Sequence, residues 1–247
     1  MQKKIHLVMP MAGRGSRFSQ KGYNYPKPML EIYERPFFYW SVQSIAKFVE
    51  LASLTFVVLR EHMENYGIDK EILKYFPNAY IYMLDDVTEG AVVTCMKGID
   101  HITDDNPIVF NDCDHLFKST DFNFFCESRF DDNIDGILLT FLSNEDKYSF
   151  VGKDSMGNIT YTIEKKVVSN EAICGCYYFH DKKLFMEASL EYLKKCDYSE
   201  YFMSGVYNIL LEKGKCIKSM ITDFHIPFGV PEEYEEATGD KSYKELI

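Results

Sequence analysis

The sequence predicts an α/β fold with a mixed, mostly parallel sheet flanked by helices. Three observations carry that expectation. Strand-like apolar runs alternate with helix-like segments. The first run, Ile5–Met9, is apolar but for His6, as a buried strand favours. No Gly/Ser/Pro-rich linker, repeat or low-complexity tract divides the chain. With 247 residues, 46% hydrophobic and 15% aromatic, there is material for the core of one large domain, 1–247.

The elements follow in order. After the Ile5–Met9 strand, Pro36 opens a helix with apolar positions at Phe37, Trp40, Ile45 and Phe48. Leu54–Leu59 is the second strand, Ile68–Tyr75 a helix and Tyr80–Leu84 the third strand. Gly90–Ile99 is a helix. Pro107–Asn111 is a buried strand that runs into Asp112-Cys113-Asp114, and Ile137–Phe141 is another strand. Beyond about residue 145 the pattern changes. Ser149–Lys153 and Ile159–Lys165 make a hairpin about the turn Met156-Gly157-Asn158. Ala172–Phe179 is a strand, Leu184–Lys194 and Tyr201–Leu211 are helices, and the last strands lie within Cys216–Ile226, before an acidic terminal segment.

Net charge is −11, which argues against a general nucleic-acid or membrane-surface binder. Much of the acid looks exposed, as at Glu232, Glu233, Glu235 and Glu236. No apolar stretch approaches the ~20 residues of a membrane helix, and no signal peptide is evident. Seven cysteines without a framework suggest a reducing, cytoplasmic setting. Cys174-Gly175-Cys176 lacks a second Cys/His pair at metal spacing and reads as strand. The 19 phenylalanines and 18 tyrosines leave room for a homo-oligomer interface, although core packing explains most of them.

Against this acidic background the segment after the first strand stands out. Gly13, Arg14, Gly15, Ser16 and Arg17 form a short basic loop, followed by Pro26-Lys27-Pro28. Glycines let a backbone approach anionic oxygens, successive N–H groups form an anion-binding concavity, and arginines add bidentate donors. Phe18 stands where the dinucleotide fingerprint needs its third glycine, and no Gly-Lys-Ser/Thr follows as in a P-loop. Asp112 and Asp114 end a buried strand, where α/β sheets place ligands, and alternation puts both on one side.

These motifs resemble the nucleoside-triphosphate-dependent nucleotidyltransferases that activate sugar phosphates and related small phosphates. The resemblance rests on Ala12-Gly13-Arg14-Gly15-Ser16-Arg17-Phe18 and Pro26-Lys27-Pro28. It continues through Thr88-Glu89-Gly90-Ala91, Asn111-Asp112-Cys113-Asp114 and Glu164-Lys165-Lys166, then Gly175-Cys176-Tyr177-Tyr178-Phe179 and Gly229-Val230-Pro231-Glu232. It implies a Rossmann-like (GT-A-like) sheet with a small acceptor-binding β subregion. Residues 1–145 would form the nucleotide-binding portion and 146–247 the acceptor-binding portion.

The resemblance also implies roles. Met11, Ala12, Gly13, Arg14, Gly15, Ser16 and Arg17 would surround the triphosphate, with Arg17 on the β/γ phosphates. Lys27 would contact the α-phosphate and the acceptor phosphate. Thr88, Glu89, Gly90 and Ala91 would lie at the base. Asp114, with Asp112, would hold Mg²⁺; Glu164, Lys165 and Gly175 would meet the acceptor. A second metal aspartate common in the family is missing: Pro227 and Gly229 stand in the candidate places, with Asp223 nearby.

No general base is needed, because a phosphomonoester's second pKa is near 6 and the nucleophile is already ionised. The expected reaction transfers NMP, with CMP favoured, from a Mg²⁺-bound nucleoside triphosphate to a small phosphorylated acceptor. Pyrophosphate leaves, and the product feeds capsule or surface polysaccharide. Candidate acceptors are a sugar 1-phosphate, phosphocholine or the phosphorylated amide of glutamine. The rival readings are a GT-A glycosyltransferase using Asp112-Cys113-Asp114 and a non-catalytic nucleotide sensor.

Overall fold

The computed structural model describes residues 4–128, 131 and 133–245. Its strands are β1 (Ile5–Pro10), β2 (Glu31–Ile32), β3 (Arg35–Pro36), β4 (Leu51–Leu59), β5 (Tyr80–Leu84), β6 (Ile108–Asn111) and β7 (His115–Lys118). There follow β8 (Gly136–Leu142), β9 (Ser149–Lys153), β10 (Ile159–Glu164), β11 (Glu171–Phe179), β12 (Ile217–Ile221) and β13 (Phe224–Pro227). The helices are α1 (Ser16–Gln20), α2 (Phe37–Ala46), α3 (Arg60–Tyr66), α4 (Ile68–Tyr75) and α5 (Ala91–Gly98). The remainder are α6 (Thr120–Glu127), α7 (Lys182–Lys195), α8 (Met203–Glu212) and α9 (Pro231–Ala237).

One sheet runs β12–β8–β11–β6–β1–β4–β5, with the β9–β10 hairpin joined to β11 through the Ala172–Phe150 pair. The pairs β1/β4, β1/β6, β4/β5 and β8/β12 are parallel. β11 runs against its neighbours β6, β8 and β9, and β9 against β10. The expected mixed, mostly parallel sheet flanked by helices is therefore present, and residues from both halves of the chain build it.

Period-two alternation sorts the core into two layers. Leu7, Met9, Phe56, Val58 and Val109 face one way and pack with Phe38 and Val42 of α2, Ile68 and Ile72 of α4 and Phe122 of α6. Val8, Val57, Leu59 and Phe110 face the other, against Val92 and Cys95 of α5, Phe185 of α7 and Val206 of α8. A third cluster joins Phe18, Leu30, Phe37 and Trp40 to Phe228 and Ala237 near the C-terminus. The indole N–H of Trp40 is satisfied by the Ile32 carbonyl at 2.8 Å.

The chain passes from β1 to β4 on one side and to β6 on the other, so the strand order reverses at β1. Ligands of open α/β sheets collect outside the carboxyl ends of strands at such a switch point. The loop after β1 and the Asp112–Asp114 segment after β6 both leave the sheet there. Among the described residues no helix is long and apolar enough to cross a membrane.

Candidate active site

The β1 exit is built by the backbone. Met11 is buried in the core, and its N–H donates to the Val57 carbonyl at 2.8 Å, the last bond the sheet supplies. From Ala12 to Arg17 no amide N–H has a protein acceptor among the described residues. Gly15 adopts φ 61°, the left-handed region, and a Cβ there would lie 2.9 Å from Lys27 Cβ. Glycine is thus required for both its backbone angle and its contact. Phe18 is buried edge-on against Tyr23 and Phe37, with ring centroids 5.3 and 6.0 Å away, and anchors the loop.

The arginines part company. Arg14 faces exposed Asp86 at 3.0 Å. Arg17 lies on the wall of a cavity with no ion pair among the described residues. Ser16 is exposed, and its carbonyl accepts the Ser19 hydroxyl.

The β6 exit is built by close packing. The Asp112 N–H donates to the Gly175 carbonyl at 2.9 Å. Gly175 has φ 89°, and a Cβ on it would lie 2.6 Å from Asp112 Oδ2. A Cβ on Gly229 would come equally near Asp114 Oδ2, at 2.6 Å. Lys27 reaches across from a 3₁₀ turn, and its Nζ donates to Asp114 Oδ2 at 2.6 Å. Prolines on both sides set this turn, and the Met29 N–H closes it on the Pro26 carbonyl.

Electrostatics follow from the packing. Burial, then the neighbouring Asp114 charge, pushes the Asp112 carboxyl up to about 7. Burial acts the same way on Asp114, but the Lys27 ammonium outweighs it and holds that carboxyl below its ordinary value. Lys27 is raised in turn, its burial outweighed by Asp114. Two acidic carboxyls beside one ammonium leave negative charge that hard cations seek. Oxygen ligands in this number suit Mg²⁺, which completes its shell with phosphate and water.

Two cavities share this corner. The first, about 260 Å³, is walled by Arg17, Lys27, Asp112 and Asp114 on one side and by Lys147, Tyr148, His225 and Glu233 on the other. The second, about 230 Å³, is walled by Ala12, Gly13, Thr88, Gly90, Ala91 and Glu200. Asp112 belongs to both walls. The Thr88 hydroxyl donates to the Gly90 carbonyl at 2.9 Å, and the Glu89 carbonyl accepts from Tyr201 N–H.

Several residues fall elsewhere than the sequence suggested. Glu164 accepts from the hydroxyls of Ser149, at 2.6 Å, and Ser204. It stands behind Ser149 rather than on the wall of either cavity. Lys165 is exposed at φ 51°, its ammonium 5.2 Å from the centre of the Phe202 ring. It lines neither cavity, whereas Gly175 lines the first. Asp223 does not replace the missing aspartate: its carboxylate accepts from the Thr120 N–H and hydroxyl, at 3.2 and 2.6 Å. Cys174 and Cys176 are buried on one face of β11, and burial raises both thiols.

Two groups escaped the sequence reading. Glu233, expected on an exposed acidic face, keeps 11% of its side chain accessible. It accepts from Gly229 N–H and Tyr148 O–H, each at 2.9 Å, and pairs with Lys147 at 2.8 Å. Its signal was Pro231 at the start of α9, two residues ahead of an acid able to reach back to an unpaired amide. The other is half-buried His225, which meets buried His115. Their rings meet at 3.3 Å (Nδ1 to Nε2), and His115 Nε2 lies 3.0 Å from Asn111 Oδ1. Burial lowers His115 to about 4 despite Asp114, and burial and His115 hold His225 well below its ordinary value.

With this geometry described, comparisons place it among known proteins. A profile described as nucleotidyl transferase matches residues 7–238. A nucleoside-diphosphate-sugar pyrophosphorylase from Vibrio cholerae RC9 is 27% identical, with TM-score 0.80 over 95% of this chain and 100% of that one. The inositol-1-phosphate CTP transferase of T. maritima is 15% identical, with TM-score 0.73 over 100% of this chain and 96% of the other, and shares the fold. No functionally curated protein matches.

Proposed function

The chain belongs to the nucleotidyl transferase family, and from that premise we propose that it transfers CMP from Mg²⁺-bound CTP to a sugar 1-phosphate or similar small phosphate. Pyrophosphate is released, and the product serves capsule or surface polysaccharide. One observation carries the reading: Lys27 packs its stem on Gly15 of the loop and its ammonium on Asp114, at the corner where two cavities meet.

In this reading the second cavity, between the 12–13 and 88–91 segments, takes the nucleoside. The unpaired amides of residues 12–17 and Arg17 take the triphosphate. The first cavity takes the acceptor, with Lys27 between the two phosphates. One positive charge about 4 Å from a phosphoryl oxygen is worth about 4 kcal/mol at an effective dielectric of 20. That charge counts most as negative charge builds on the α-phosphoryl oxygens. Asp112 and Asp114 would hold Mg²⁺, which when bound offsets the charge of the phosphates. Lys27, Arg17 and the loop amides align two anions and screen their repulsion, so no side chain has to remove a proton. Residues 1–145 then supply most of the nucleotide side and residues 146–247 most of the acceptor wall, with Glu200 crossing to the base and Lys27 to the acceptor.

For the base, Glu200 on the second cavity supports cytosine over the other pyrimidines, uracil and thymine. A carboxylate only accepts hydrogen bonds, so it favours an exocyclic amine over a keto oxygen at the same place.

The test is a thermal-shift screen of CTP, UTP, dTTP, GTP and ATP with Mg²⁺, followed by pyrophosphate release across small phosphates. A ligand at 100 times its Kd adds about 2.7 kcal/mol of stability. The expected result is the largest shift with CTP, a loss of CTP preference in Glu200→Gln, and pyrophosphate release with a small phosphate. No shift with any triphosphate sinks the proposal, and glycosyl transfer from a nucleotide sugar without pyrophosphate release replaces it.

A further inference from the structure

The β9–β10 hairpin gives the acceptor cavity a hydroxyl whose direction is fixed. Ser149 opens β9 and pairs across the ladder with Glu164, the last residue of β10. Directly opposed residues of an antiparallel pair set their side chains on one face of the sheet. The two accordingly meet, Ser149 hydroxyl to Glu164 Oε1, at 2.6 Å. The same Oε1 takes the hydroxyl of Ser204, in the first turn of α8. A carboxylate oxygen accepts, so each serine gives it its single proton. The Ser149 oxygen is left with lone pairs and nothing to donate.

That arrangement is held from several sides. The Lys165 N–H donates to the Tyr148 carbonyl at 3.0 Å. Thr162 locks the hairpin to α8: its hydroxyl donates to the Ser204 carbonyl and its N–H to Asn208 Oδ1, each at 2.7 Å. A hydrogen bond to a carboxylate is of the stronger, charge-assisted kind, so an arriving ligand does not draw the Ser149 proton to itself. Ser149 is half-buried and lines the first cavity beside Tyr148. The charged groups of that wall answer one another, with Glu233 taking Lys147 at 2.8 Å and the Tyr148 hydroxyl at 2.9 Å. Glu164 thus acts on the cavity through the serine in front of it rather than by touching what binds there.

We infer that Ser149 is a specificity-determining residue whose hydroxyl oxygen accepts a hydrogen bond from a hydroxyl or amide N–H of the phosphorylated acceptor. The inference rests on the transferase reading and narrows it. A sugar phosphate, a polyol phosphate or a phosphorylated amide offers such a donor. Phosphocholine has neither a hydroxyl nor an N–H, so it gains nothing from Ser149 and is disfavoured as the acceptor.

The test is steady-state pyrophosphate release from CTP and Mg²⁺ with glucose 1-phosphate, inositol 1-phosphate and phosphocholine. It is extended to analogues of the two hydroxylated phosphates in which each hydroxyl in turn is replaced by fluorine. Fluorine keeps the size of the group but cannot donate. In the wild type, fluorine at one position should raise the KM of the acceptor about five-fold, the scale of one neutral hydrogen bond. Ser149→Ala should raise the KM of the parent phosphate by a similar factor and lose the sensitivity to fluorine at that position. The kcat and the KM for CTP should stay within about two-fold, as expected when uniform binding is removed. The wild-type fluorine series needs no variant, so a misfolded Ser149→Ala does not shield the inference. Indifference of the wild type to fluorine at every position, an unchanged acceptor KM in Ser149→Ala, or phosphocholine as the best wild-type substrate defeats the inference and leaves the transferase reading intact. Absence of pyrophosphate release from the wild-type enzyme with every small phosphate defeats the transferase reading and with it this substrate assignment.

Discussion

The loop after β1 and the carboxylate corner after β6 flank the same cleft but are finished to different degrees. Among the described residues the amides of 12–17 have no protein acceptor, and both arginines of the loop are exposed. At the corner the Asp112 backbone, the Asp114 carboxylate and the Gly229 amide are already held by neighbours. Asp112 is pinned to Gly175, Asp114 to Lys27 and Gly229, and Gly229 to Glu233. In the proposed reading one side is an anion site that its ligand completes, and the other a cation site preformed by the strands. The difference separates binding from preorganisation. Amides without acceptors gain from a triphosphate when it arrives, whereas the corner holds its charges in place beforehand. Lys27 belongs to both sides, through its stem on Gly15 and its ammonium on Asp114.

The largest effects should therefore come from the contact that joins the two sides. Lys27→Ala and Asp114→Asn should each lower kcat about 10²-fold or more, the scale of losing one preorganised electrostatic contact. Steady-state pyrophosphate release measures the loss, and circular dichroism checks that the fold survives. The double variant should lose much less than the product of the single losses, because the side chains act as one unit. Turnover near wild type in either single variant would remove the corner from the chemistry.

A mid-sized effect should appear at Asp112, where the corner's order carries a thermodynamic cost. Its carboxyl is pushed up from 3.8 to about 7, so the folded protein in EDTA holds a proton that the unfolded chain releases. The sign follows: this group's contribution is fully present below pH 3.8 and is lost as pH rises through about 7. Asp112→Asn should thus make the cation-free protein more stable at pH 8, on the order of 4 kcal/mol, and match the wild type near pH 4. In the wild type, Mg²⁺ must displace that proton, so its apparent Kd should rise about ten-fold per pH unit below 7, a slope that Asp112→Asn loses. Thermal melts and calorimetric titrations over pH 5–8 measure both. Melts of the two proteins that stay parallel with pH would mean that Asp112 is not held against its charge.

Much of this was legible in the sequence, for physical reasons. The helix Ile68–Tyr75 and the strand Tyr80–Leu84 have the expected bounds, because their apolar spacing is uninterrupted and the sheet and its helices read it directly. The Gly-Arg loop announced itself because few other uses need that composition at the end of a buried strand. The short β7/β13 pair did not, since a pairing of four residues across more than a hundred positions leaves no periodic trace. Helix α3, Arg60–Tyr66, is mostly polar and shows no apolar stripe. The hairpin strand β10 stops at Glu164 rather than Lys165, where the backbone turns to φ 51°. Glu233 and Asp223 show the common limit: composition says that a carboxylate is present, but only the fold says which donor it meets.

The smallest effect should come from the rim of the loop, and it asks whether the anion side is one site or a gradient. Arg14 and Arg17 are three residues apart in the same basic segment. Yet Arg14 is 65% exposed and already paired with Asp86, itself 73% exposed, while Arg17 lies on the cavity wall with no ion pair among the described residues. A pair so open to solvent gains little, because water screens it and two long side chains must be held still. Arg14→Ala should therefore leave the melting temperature within about a degree and raise the KM for the triphosphate no more than about three-fold, the range expected of exposed pairs. It should also weaken the salt dependence of triphosphate binding, since one distant charge is lost from the field that draws the anion in. Arg17→Ala should raise the same KM by about ten-fold or more, the scale of one charge-assisted hydrogen bond. Equal losses in the two variants would mean that the whole loop closes on the triphosphate and that Arg14 leaves Asp86 to join it. Unequal losses in the order given would mean that the loop is already shaped before the anion arrives, with its grip concentrated beside Lys27.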